Sequence, residues 1–189
     1  MKTLNELAAE VNYLRPIDRE GLIRFAEFGK ANPNRVVTNK VKTVMQGVYR
    51  SWSFIGLHNP VIVDEPVHLL GENTAPAPVE LLLSALGGCL GVGITAVATF
   101  RSVKLSKLEL HIEGDIGNSA AWGVAATSWG ENAEKLPLQM GLQAIRVKID
   151  IEGDAPRSEL EDIVQHANYY SPVANSLRNP IPLEIGLIA

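Results

Sequence analysis

A second cysteine is the first thing this chain lacks. Cys89 stands alone among 189 residues, so no intrachain disulfide can form, and such sparing cysteine use suits a reducing compartment. The four histidines, at positions 58, 68, 111 and 166, lack metal-ligand spacing and have no further thiol to join them. No metal site is therefore predicted. No run of Lys and Arg occurs and the formal net charge is −4, which excludes the concentrated basic surface that nucleic acid requires. The first sixteen residues, MKTLNELAAEVNYLRP, contain no apolar core of a signal peptide, which predicts a cytoplasmic protein. There is no GxSxG element for a serine nucleophile, no internal repeat and no low-complexity tract. What remains is ordinary globular composition, 46% hydrophobic and 20% charged, on a chain long enough for one domain with a core and a short extension.

The stretch around which the chain is organised runs from Pro76 to Arg101, with Cys89 near its centre. No charged residue occurs between Leu81 and Thr99, and apolar or small residues occupy every face of a helical period, so a helix here is predicted to be covered all round. Pro76 and Pro78 suit its start, Glu80 complements the positive end of its dipole, and Arg101 and Lys104 suit the other end. It should be about 24 residues, roughly 36 Å long. A run of this length could also cross a membrane. Glycines at 87, 88, 91 and 93 with Ser84, Thr95 and Thr99 make it weakly hydrophobic, and no basic cluster or aromatic belt flanks it. A buried soluble helix without a membrane is the expectation. Its small-residue pairs Ser84/Gly88 and Gly87/Gly91 would let another helix approach closely, the same helix of a second copy being one candidate.

Taken in order, the chain begins with Leu4, Leu7, Ala8 and Val11 at helical spacing over residues 3–13. A second helix is expected from Asp18 to near Lys30, with Leu22, Ile23, Phe25, Ala26 and Phe28 on one face. Together these form an N-terminal helical extension, residues 1–33, read as a packing cap or dimer arm. Residues 34–189 form the main domain. Within it Val36–Thr38, Val41–Val44, Val48–Ile55 and Val61–Val63 read as an antiparallel meander, followed by a loop rich in turn residues and the long helix. Leu108–Glu113 and Ile145–Ile151 alternate as half-buried strands. Ser158 is expected to cap a helix to about Asn168, Ser171-Pro172 to open a short helical turn, and Ile181–Leu187 to close the sheet as a strand. Residues 117–141, with Trp122, Trp129 and Met140, have no sustained period and could cover a site or form an edge hairpin. Strands and helices in runs, without regular alternation, indicate an α+β fold with a mainly antiparallel sheet.

Cys89 admits two readings. By residue type it is a small hydrophobe of a core. A reactive thiolate needs a nearby cation or helix N-terminus; the local sequence offers neither, and Arg50 on a meander strand is a candidate from elsewhere in the fold. The surrounding GGCLGVG lacks the Lys and Ser/Thr of a phosphate-binding loop, so no cofactor is expected.

Two stretches carry a family resemblance: DEPVHLLGENTAPAPVELLLSALGGC at 64–89 and HANYYSPVANSLRNPIPLEI at 166–185. With them the chain resembles, from about Val36 onward, the OsmC/Ohr superfamily of osmotically inducible protein C and organic hydroperoxide resistance proteins. The resemblance implies an α+β fold in which long central helices pack back to back in an intertwined homodimer. It also implies thiol-dependent reduction of organic hydroperoxides in the oxidative stress response. One cysteine becomes a sulfenic acid, a second resolves it as a disulfide, and an arginine and a glutamate organise the first thiolate. Cys89 matches the first cysteine and Ser171 replaces the second. Val79 stands at the glutamate position with Glu80 one residue on, and Arg50 is the candidate for the arginine. Serine cannot resolve a sulfenic acid, so the two-cysteine mechanism does not carry over. One reading is therefore a one-cysteine peroxidase or redox sensor, in which an external thiol reduces Cys89 and Ser171, Glu80 and Arg50 complete the site. The other is a non-peroxidase member that binds a small apolar molecule at the dimer interface, walled by Trp122 or Trp129, or serves structurally.

Overall fold

The computed structural model describes residues 14–117 and 141–188, together with Thr3 and Glu6. Most of the helix expected over 3–13, and Trp122, Trp129 and Met140, lie outside the described residues. The chain divides into two compact units, Met1–Leu108 with Ile151–Ala189, and Glu109–Asp150.

In the first unit, helix α1 spans Arg19–Ala31, and Asp18 caps it by accepting the amide of Glu20, which supplies a partner for one of the orphan donors of the first turn. None of its residues is buried, and Phe25 and Phe28 are exposed. Strands β1 (Val41–Gly47), β2 (Arg50–Ile55) and β3 (Val61–Val63) form an antiparallel meander in chain order. Val41 pairs with Ile55, Val44 with Trp52 and Ser51 with Val63. The register shifts between Met45 and Gly47, which leaves Gln46 in the irregularity. Its side-chain Oε1 accepts from Trp52 Nε1 at 2.8 Å and Arg50 Nε at 3.0 Å. Val36–Thr38, expected as a strand, is coil.

Helix α2 spans Pro78–Phe100, as its charge-free run predicts. Glu80 Oε2 accepts the amide of Ala77 at 2.8 Å. Leu86, Leu90, Ile94 and Ala98 are buried and recur every four residues on one face. Against α2 pack α3 (Arg157–Tyr170) and α4 (Pro172–Arg178). α3 contributes buried Leu160, Ile163 and Ala167. Its cap position is Pro156 and not Ser158, because the helix starts two residues earlier and Ser158 falls inside the first turn. The close approach allowed by small residues occurs at Gly93, where an added Cβ would lie 3.2 Å from that of Ala167. Among the described residues the cover is not all round: Leu82, Ala85, Gly88 and Val92 form an exposed stripe. By length and composition α2 could cross a membrane, but its inner face is taken by α3 and α4.

The strand expected at Ile181–Leu187 is absent; residues 179–188 are exposed coil. A strand needs a neighbour to receive its amides and carbonyls, and the described residues supply none.

Strands β4 (Leu105–Ile116) and β5 (Leu142–Gly153) pair with each other. At one end Asp154 N donates to Lys104 O, and at the other Gly117 N donates to Gly141 O, an antiparallel arrangement. The second unit, Glu109–Asp150, takes in most of the residues of both strands. There Arg146 reaches across to Glu113 at 3.2 Å and to both oxygens of Asp115 at 2.6 and 2.7 Å. The whole is a mixed α+β fold with antiparallel sheets and one long helix.

Candidate functional site

The position of the thiol follows from how α3 is laid on α2. Ala167 sits against Gly93, and the two helices contact each other in opposite chain directions. Four residues forward along α3 is Ser171, and four back along α2 is Cys89. These meet: Ser171 Oγ donates to Cys89 Sγ at 3.2 Å. Ser171 is the C-cap of α3 and the N-cap of α4, with Pro172 in the first turn of α4, where a missing amide costs nothing. Its oxygen accepts the amide of Ala174 at 3.2 Å. With an acceptor site so used, the single hydroxyl hydrogen is directed to sulfur. Ser171 is buried, and Cys89 is half-buried.

Immediately before Ser171, His166 and Tyr170 stack at 4.8 Å and Tyr169 meets Tyr170 edge-on at 4.9 Å. Both tyrosines are exposed. Sequence reasoning quoted this run without assigning it; the spacing of His166 and Tyr170, one helical turn apart, was the available signal.

Arg50 and Glu80 occupy a second cluster at the start of α2. Arg50 Nη1 donates to Thr74 Oγ1, and Nε to Gln46. Thr74 in turn gives both its amide, at 2.9 Å, and its hydroxyl, at 2.7 Å, to Asp64 Oδ2. Asp64 also accepts the amide of Glu65 at 2.8 Å and is fully buried. The amide of Thr74, then its hydroxyl, hold the Asp64 carboxyl at about 2, against the opposing effect of burial, with the amides of Glu65 and Glu72 adding to the depression. Burial, and then the charges of Asp64 and Glu80, push the Glu65 carboxyl upward, while His68 opposes them. Glu80 is engaged with the Ala77 amide, about 13 Å along the axis from Cys89. Of the four residues selected from sequence, the fold thus joins Cys89 with Ser171, and sets Arg50, from β2, and Glu80, in the first turn of α2, to hold Thr74 and Ala77 of the segment that leads into α2. Asp64 and Thr74 were not selected. Their signal was an aspartate facing a Gly-Glu-Asn-Thr turn, a composition in which a carboxylate collects loop amides.

A sequence profile described as OsmC-like protein matches residues 71–186. No curated protein sequence matches the chain. Among solved structures, an OsmC-like protein from Mycoplasma pneumoniae superposes with a TM-score of 0.59 at 16% identity, over 76% of this chain and 89% of that one. An organic hydroperoxide resistance protein OsmC from Legionella pneumophila does so with a TM-score of 0.53 at 19% identity, over 77% and 92%. At these identities the likeness is one of fold. Since the profile spans well over half of the chain and takes in both Cys89 and Ser171, the protein belongs to the OsmC-like family.

Proposed function

We propose that the protein is a one-cysteine thiol peroxidase acting on organic hydroperoxides in the cytoplasm. The observation that carries this reading is the hydrogen bond from Ser171 Oγ to Cys89 Sγ. A donor on sulfur stabilises the thiolate, which is the nucleophile. The Cys89 thiolate attacks the outer oxygen of the hydroperoxide. The S–O bond forms, the O–O bond breaks, and the departing alkoxide takes a proton to leave as alcohol. Cys89 is left as a sulfenic acid, two electrons oxidised. Ser171 cannot close a disulfide, so an external thiol condenses with the sulfenic acid and releases water. A second thiol then reduces the mixed disulfide and restores Cys89. Arg50 and Glu80 are positioning residues for the segment that enters α2, and the Tyr169–Tyr170 pair is an apolar wall beside the serine.

A homodimer completes this reading. The exposed stripe of Leu82, Ala85, Gly88 and Val92 on α2 suits a second copy of the same stripe, and the exposed apolar segment 181–187 suits a sheet edge of that copy.

The test is trapping of the Cys89 sulfenic acid with a dimedone probe after cumene hydroperoxide, with Cys89→Ser as control. Stoichiometric trapping is expected, and little or none when a dithiol is added after the hydroperoxide but before the probe. Ser171→Ala should slow the step roughly ten- to hundredfold, the worth of one hydrogen bond to a charged group. A thiol that reacts only after denaturation overturns the proposal, and leaves Cys89 as packing in a family member that binds a small apolar molecule.

A further inference from the structure

We propose that the cleft between the start of α1 and the C-terminal end of α2 binds a small amphiphilic monoanion, an aliphatic carboxylate of medium chain length. The cleft has a volume of about 470 Å³, within the range of roughly 300–1,000 Å³ typical of small-molecule sites. Leu14, Pro16, Ala98, Val103 and Leu105 give it an apolar lining, suited to a hydrocarbon body. All the charged residues that line it are basic: Arg15, Arg19 and Lys104.

Two of these cations have capacity to spare. The Lys104 ammonium has no hydrogen bond or ion pair among the described residues; only its backbone is engaged, the amide donating to Asp154 Oδ1 and the carbonyl accepting from Asp154 N. Arg19 gives Nε and Nη2 to the carbonyl oxygen of Phe100 at 3.3 and 3.2 Å and meets no carboxylate among the described residues. A guanidinium has five N–H donors, so capping the helix terminus leaves part of the fork for a ligand. Arg101, by contrast, is occupied by Asp162 at 2.6 Å. Apolar walls with one-signed charge at the mouth fit a molecule with a single anionic head and an alkyl tail.

The cleft is separate from the thiol. Its first α2 residue, Thr95, lies about 9 Å along the helix axis beyond Cys89. Leu14, Arg15, Pro16 and Arg19 also precede the stretch matched by the family profile.

Calorimetric titration of the full chain with sodium octanoate, and in parallel with 1-octanol, tests the assignment. Octanoate should saturate one site per chain, more weakly at higher salt because the rim cations face solvent. Lys104→Glu, at an exposed position, should weaken octanoate roughly fivefold, with Lys104→Arg restoring it and octanol binding unmoved in both. Cys89→Ser should bind octanoate as the parent does. The proposal fails if octanoate does not saturate, if Lys104→Glu binds it unchanged, or if Cys89→Ser abolishes binding, which would place the ligand at the thiol.

Discussion

Residues 64–77 and 179–188 both lie mainly outside helix and strand, and they behave in opposite ways. Residues 64–77 carry one short helical turn, Val67–Leu69, and otherwise hold themselves by hydrogen bonds. Asp64 gathers the donors of Glu65 and Thr74, Asn73 N donates to Glu65 O, and Asp64 N donates to Pro76 O. The hold is strong enough to keep Leu70 and Asn73 at φ of 70° and 53°, a left-handed conformation that side chains disfavour. Residues 179–188 are the reverse. Asn179 N donates to Asn175 O, but beyond it Ile181, Leu183 and Ile185 are 64%, 81% and 90% exposed. The alternation of a strand is present there without a neighbour to pair with. A loop that contains its own acceptor can be ordered locally, whereas a strand depends on what lies beside it.

The largest expected effect comes from breaking the first of these stretches. At Gly71 an added Cβ would overlap the carbonyl group of Glu65, which is backbone and cannot swing aside. Gly71→Ala should cost about 2–3 kcal/mol, the scale of overpacking that forces a backbone shift, read as a lower urea midpoint. Gly29→Ala, within α1, meets no atom within 4 Å and is the matched control; in a helix it should even gain about 1 kcal/mol.

A second effect is visible only in acid. The Asp64 carboxyl titrates at about 2 in the folded chain against the ordinary 3.8. The unfolded chain therefore binds this proton first as pH falls. The stabilisation is complete above about pH 4 and is lost between there and pH 2. Asp64→Asn should remove the corresponding part of the acid limb of a stability–pH curve; an unchanged slope would show that Asp64 is not the group that the loop is built on.

Much of this was legible because the signals are local. The charge-free run with Pro78 and Glu80 at its start predicted α2, and Asp18 marked the start of α1. The period-2 alternation of Ile145 to Ile151 found β5, and two quoted motifs fixed the family. The pairing of Cys89 with Ser171 followed from the resemblance, but its physical basis is the register of Ala167 on Gly93, a contact between distant residues that no periodicity encodes. The Asp64–Thr74–Arg50 chain was missed for the same reason, since it joins a strand end, a loop and another strand. The α1 cleft was also out of reach: Arg19 and Lys104 become neighbours of one cavity only through the fold.

The smallest effect on the chain itself, and the sharpest on the comparison, is expected from paired substitution of Leu183→Lys and Leu187→Lys. Both side chains are fully or largely exposed, so in dilute solution, where chains are apart, the unfolding free energy should move by no more than about 0.5 kcal/mol. If a second copy provides the missing edge, the midpoint of the parent should rise with protein concentration, as mass action requires. That of the double variant should rise less, because two lysines in place of apolar side chains oppose edge pairing. Equal concentration dependence in the two proteins would remove segment 181–187 from the interface and leave the stripe on α2 as the surface through which copies meet.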